Sequence, residues 1–140
     1  MAHGRPIRTQ KANAQAHLWY AIHLAGLGRF DEAVAEGERA LKLDPVSPAM
    51  NAYVGVPLYL AHRYDQTIQR MQPTVEMDPH NTQAYAFLAL SYEQKREWGK
   101  AIAAMERAYE LDKEPQSLAQ LGHIYAVSGR KADAGEYSPN

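Results

Sequence analysis

Three stretches of this chain are copies of one another. "GRFDEAVAEGERALKLDP" at 28–45, "HRYDQTIQRMQPTVEMDP" at 62–79 and "REWGKAIAAMERAYELDK" at 96–113 follow at steps of 34 residues. The aromatic after the opening turn returns as Phe30, Tyr64 and Trp98. The small residue three positions later returns as Ala33, Thr67 and Ala101, continuing to Ala134 after a step of 33. Asp44, Asp78 and Asp112 close the copies. A unit of this length cannot bury its apolar face alone, so a fixed period means a stack in which each unit packs on the next.

The stretch ahead of each copy repeats as well. Ala21, Gly55, Ala89 and Gly122 hold one small-residue position, and Leu24, Leu58, Tyr92 and Tyr125 follow three residues later. Small side chains there let two helix backbones approach closely. Each unit therefore reads as two antiparallel helices joined by a tight turn, with Gly28 at the first turn, Gly129 at the last, and Pro45 or Pro79 stopping the second helix. The pattern predicts helices over 14–27, 31–43, 48–61, 65–77, 82–95, 98–111 and 115–128. Pro57 and Pro73 fall inside two of them, where each removes a backbone hydrogen bond and crowds a carbonyl one turn back, so both predict kinks. The Pro57 kink either bends the surface locally and frees the Tyr53 carbonyl for a ligand, or is a tolerated irregularity.

In "GRFDEA", "ALKLDP", "LALSYEQ" and "LGHIYAVSGRKADA", at this spacing, the chain resembles the tetratricopeptide repeat family, in a bacterial-type form, over residues 14–134. The resemblance implies an all-α, right-handed solenoid of helix-turn-helix repeats, three full and a fourth partial. The repeats lie at 14–47, 48–81, 82–114 and 115–134, between a leader at 1–13 and a tail at 135–140. Gly37, Thr67, Thr74 and Lys113 depart from the family's usual residues without moving the period. After "GRKADA" the pattern demands another amphipathic helix, but "GEYSPN" supplies none. Either the chain is part of a longer array, or its open end docks on another copy, since array ends normally need a polar cap.

Composition narrows the work such an array does. Fifteen Lys and Arg against sixteen Asp and Glu leave a net charge of −1, which builds in no attraction to nucleic acid or anionic lipid. Arg5, Arg8 and Lys11 are basic without interleaved aromatics, a weak nucleic-acid signal that a flexible leader explains. With no cysteine there is no disulfide framework and no thiolate site. No apolar run approaches the ~20 residues of a membrane span. A cytoplasmic protein with neither nucleic acid nor membrane as partner is expected.

The apolar positions of the first helix, "AQAHLWYAIHLAGL", run nearly all round it, so it needs cover on more than one side. Tyr20, Ala21 and Leu24 share the face assigned to packing, which leaves Leu18, Trp19 and Ile22 on another. By the same period Trp19 is followed by Tyr53 and Phe87, and Ile22 by Val56 and Leu90, with Tyr59 beside them and His123 at the far end. These nine residues form a stripe. In the family this resembles, those places line a concave groove that receives a partner's peptide or helix; the other reading makes the aromatics core, the commoner fate of aromatics at helical spacing. Chaperone-binding members of the family grip a terminal carboxylate there with Lys, Asn and Arg, but the matching places here hold Leu18, Ile22, Tyr53, Gln83 and Phe87. With no forked or charged donor for a carboxylate, the expected ligand is an apolar or amphipathic helix.

Chemistry is not expected. His3, His17, His23, His62, His80 and His123 lack the i, i+4 pairing with a carboxylate that a helical zinc site uses, so no metal and no cofactor is expected. Glu32 with Glu36 and Glu106 with Glu110 are helical neighbours that a solvated, Lys- and Arg-flanked face explains. The expected function is a non-catalytic protein-binding module. Its rivals are a scaffold that assembles with itself as a homo-oligomer, through groove or open end, and the repeat tail of a bacterial signalling or transcription regulator.

Overall fold

The computed structural model describes residues 7–45 and 47–133; the first six residues of the leader, Ala134 and the tail lie outside them. Among the described residues there are eight α-helices and no strand. They are α1 (Ile7–Gly26), α2 (Phe30–Leu43), α3 (Pro48–Val54), α4 (Val56–Leu60), α5 (Tyr64–Met77), α6 (Thr82–Gln94), α7 (Trp98–Asp112) and α8 (Pro115–Asp133). Each helix packs on its neighbours in the chain, α1 on α2, α5 on α6, α6 on α7 and α7 on α8, which is the arrangement of a right-handed solenoid.

The turn inside each of the three full units is the same hydrogen-bonded closure. The amides of Arg29, Arg63 and Glu97 reach back five residues to the carbonyls of Leu24, Leu58 and Tyr92, each at 2.9 Å. The amides of Gly28, His62 and Arg96 reach back three, to Ala25, Tyr59 and Glu93. This double bond pattern requires the residue between to take positive φ, which is 79° at Gly28, 61° at His62 and 62° at Arg96. Only the first of these is a glycine. Ser47 and Asn81 then start the next units by accepting the Met50 and Ala84 amides at 3.1 and 3.0 Å.

Between the paired helices, Ala33, Thr67 and Ala101 are wholly buried, as are Ala40 and Ala108. The two threonines that depart from the family pattern fit because their hydroxyls donate to carbonyls four residues back, Thr67 to Arg63 and Thr74 to Arg70, both at 2.9 Å. Gly37 fits because Val54 fills its place: a Cβ there would lie 3.1 Å from Val54 Cγ1. Outside, Arg63 pairs with Asp31 and Lys95 with Asp65, a rung repeated from one unit to the next, and Arg70 pairs with Glu38.

Four local expectations change. The first helix starts at Ile7, so residues 7–13 are helical; between Pro6 and Gly26 the sequence holds no Gly or Pro to stop a helix. The helix expected over 48–61 is broken into α3 and α4 at Gly55, because Pro57 has no amide to continue the ladder. Gly55 lets the break press on α5, where an added Cβ would sit 2.3 Å from Met71 Cε. Pro73, by contrast, stands in an α5 that runs unbroken. Lastly, α8 passes through Gly129 without turning, so the fourth repeat is represented by its first helix alone. The other turns are held against a following helix; here the described residues contain none.

Candidate functional site

The stripe is built from the first helix of each unit, and the structure separates its nine residues into four groups. Leu18 is core, 3% exposed, packed among Ala14, Ala40, Leu41, Met50 and Val54. Tyr20, assigned to packing, is instead half exposed. The two trade places because the buried seam of α1 runs Ala14, Leu18, Ala21, Ala25, at spacings of four, three and four. Leu18 therefore forms only the floor of what lies above it.

Above it is a hollow of about 310 Å³ between α1 and α3, flanked by Trp19, Ile22 and Tyr53, with Met50 beneath. Trp19 is 62% and Tyr53 39% exposed, unusually open for aromatic rings in one hollow. Lys11 and Asp44 stand at its edge, one charge of each sign.

Phe87 and Leu90 do not share that hollow. They line a second, of about 650 Å³, between α6 and α8, with Met105 and Ala86 as further apolar surface and Gln83, Gln116 and Gln120 around them. Trp19, Tyr53 and Phe87 thus do not converge on one cavity, and the continuous groove the stripe suggested is divided.

The divider is the third group. Tyr59, on α4, sets its ring edge-on to Phe87 at 5.4 Å and tilted to Tyr64 at 5.6 Å. Burial first, then the negative charge of Tyr64 and Glu93 when ionised, holds the Tyr59 hydroxyl above its ordinary pKa. Val56 is half-buried on the same short helix. This pair of rings packs α4 against α6, between the two hollows in chain order.

His123 is the last. It is exposed, with Nε2 2.8 Å from Glu93 Oε2, while Gln120 Nε2 donates to the other Glu93 oxygen at 3.1 Å. It acts on the acid beside the second hollow and is not among the residues lining it.

Three contributors were not singled out from the sequence. Met50 and Met105 are flexible apolar side chains at the base of the hollows, and Glu114 rims the second. The methionines come from second-helix or helix-start positions that the stripe's period does not sample. Glu114 sits where Lys113 replaces the usual Pro, and that departure was the available signal: Lys113 adopts φ 53° and α7 runs on to Asp112.

Among the described residues no group of three His, Cys, Asp or Glu is placed to hold a metal ion, and no helix is long and apolar enough to cross a membrane.

The family model described as "Tetratricopeptide repeat" matches residues 7–48 and 58–117. The chain belongs to the tetratricopeptide repeat family, whose arrays are protein-interaction modules. The unmatched residues 49–57 hold the α3–α4 break. A relative, the Hsp70-Hsp90 organizing protein of Triticum aestivum, is 28% identical over 112 residues, 77% of this chain and 19% of that protein; the chain spans about a fifth of that relative's length. Among solved structures, MamA from residue 41 to its end, from Desulfovibrio magneticus RS-1, is similar with TM-score 0.72 and 27% identity, over 92% of this chain and 73% of that one. The first repeat domain of Spaghetti (RPAP3) bound to the HSP90 peptide SRMEEVD has TM-score 0.77, 16% identity and coverage of 85% and 95%. The OM64 domain of Arabidopsis has TM-score 0.76, 14% identity and coverage of 84% and 98%. The last two show likeness of fold alone.

Proposed function

We propose that this chain is a non-catalytic module that binds a partner's peptide or amphipathic helix across the first helices of its units, with one apolar side chain of the partner seated in each hollow. The observation that carries the reading is the pair Trp19 and Tyr53, two open rings over a buried floor. A ring this exposed contributes little to folding, and a guest side chain between the two would be desolvated on both sides, the setting in which interface hot spots arise. The ridge of Tyr59 and Phe87 gives the partner a fixed spacing between its two anchors, which suits side chains on one face of a helix.

The peptide carried by the Spaghetti domain is acidic and ends in a carboxylate. The five matching positions here offer Leu18, buried, with Ile22, Tyr53, Gln83 and Phe87, and none is a cation. This argues against a terminal carboxylate as the ligand. Peptides selected from a displayed library on the whole chain test the reading: binding lost in Trp19→Ala and in Tyr53→Ala supports it, and binding indifferent to both overturns it.

A second reading rests on α8, which leaves Leu118 49% and Tyr125 40% exposed, the Tyr125 hydroxyl donating to Glu106 of α7 at 2.6 Å. Self-assembly through that helix predicts a size that grows with concentration and a Leu118→Glu variant that stays monomeric. Light scattering distinguishes the two.

A further inference from the structure

The two hollows occupy matching places in the stack and differ in charge. The first has Lys11 and Asp44 at its edge. Of the residues lining the second, two are acids, Asp112 and Glu114, and none is Lys, Arg or His. We propose that the second hollow takes an apolar side chain flanked by Lys or Arg, so that the partner is a basic amphipathic segment. This rests on the binding-face reading above and names the chemistry of its ligand.

Three details of the hollow carry the choice. Lys113, between the two acids in the chain, cannot neutralise them from within the hollow: it is turned over the Tyr109 ring, 5.0 Å from its centre. Asp112 is fixed in place, accepting the Glu114 amide and the Ser117 hydroxyl, both at 2.9 Å. These two bonds leave its charge intact, since neither donor is ionic. Beside the hollow, Glu93 is mostly buried and already engaged by Gln120 and His123, so the charge offered to a partner is that of Asp112 and Glu114. The apolar part, Phe87, Leu90 and Met105, accepts the partner's aliphatic or aromatic side chain, and Met105 can repack around its shape. A lysine or arginine beside that side chain suits such a site, because its stem lies on apolar surface while its head reaches the rim. An acidic segment would bring like charge to a cavity with no cation to receive it.

The probe is a designed helical peptide with leucine on one face and lysine flanking it, compared with the same peptide carrying glutamate for lysine. Both are titrated by fluorescence anisotropy against the whole chain at low and moderate salt. The lysine peptide is expected to bind about tenfold more tightly than the glutamate peptide at low salt, with the gap narrowing as salt rises. Glu114→Gln should weaken the lysine peptide about two- to fivefold and Glu114→Lys should reverse the preference. Glu114 is exposed, and it bonds through its backbone, its amide to Asp112 and its carbonyl to the Leu118 amide, which a change of side chain leaves in place, so these variants keep the fold. Phe87→Ala should weaken both peptides alike. Equal binding of the two peptides by a wild-type chain that still depends on Phe87 would overturn the charge inference and leave the binding face standing. Glutamate preference would overturn it as well. If Phe87→Ala and Trp19→Ala change neither titration, the binding face itself is wrong.

Discussion

The hollow between α1 and α3 and the hollow between α6 and α8 are built from equivalent positions of the repeat, and they do different things with them. The first is small, bounded by two rings that stand in solvent over buried Leu18. The second is twice as large and its ring, Phe87, is half-buried and braced by Tyr59. The difference teaches that the period decides where first helices diverge, while residues off the period decide what fills the gap. Met50, Met105, Tyr59 and Glu114 all belong to that second class.

The largest effects should separate the hollows by what each ring supports. Trp19→Ala is expected to cost a bound partner about 2 kcal/mol or more with little change in thermal midpoint. Phe87→Ala should cost binding and, because it also strips the Tyr59 contact, stability, a contrast that paired titration and melting curves would expose. If both variants lose stability alike, the first hollow is ordinary core.

Next in size is the packing that holds the hollows apart. Ala101 is wholly buried between α6 and α7, so Ala101→Leu should destabilise by about 1–3 kcal/mol in denaturant titration. No loss would mean that the second hollow's supporting helices are not in the register described.

A smaller effect belongs to the first-hollow end alone. Glu36, buried between α1 and α2, accepts from His17 Nδ1 at 2.6 Å and pairs with Arg39. The His17 hydrogen bond, opposed by burial and then aided by Arg39, holds its carboxyl below the ordinary value of 4.5. A lowered folded pKa means stability that is present above about pH 4.5 and lost as pH falls through the folded value. Acid denaturation should therefore show wild type and Glu36→Gln converging below pH 4.5 and separating above it. The same separation on both sides would contradict the assignment.

The smallest concerns the turns. His62 and Arg96 take the backbone conformation that Gly28 takes without strain, so His62→Gly and Arg96→Gly should each stabilise by about 0.5–1 kcal/mol, and Gly28→Ala should cost about 1 kcal/mol. Melting curves of the three variants test whether the units share one turn.

Much of this architecture was legible because its signals are local and repeated: the small residues at 33, 67 and 101 meet the next helix wherever the unit stands. The site was less legible. Leu18 and Tyr20 are adjacent-but-one on a helix apolar nearly all round, and only the direction of its neighbours says which is covered. The division of the stripe depends on Tyr59 meeting Phe87 across two units, a contact between residues 28 positions apart that no period announces. Pro57 announced a disturbance, and the break falls two residues before it, at Gly55, where the end of the Met71 side chain packs close. Gly129 reads as a turn, but a turn of this kind is held by the helix that follows, and none follows among the described residues.

The most direct measurement is the affinity of one library-selected peptide for four proteins: wild type, Trp19→Ala, Phe87→Ala and the double variant. The account predicts that each single substitution weakens binding by tenfold or more and that the double variant loses it, the two anchors adding because their hollows are separate. Unchanged affinity in all four, with loss on Leu118→Glu instead, would move the interaction to the end of the array and contradict it.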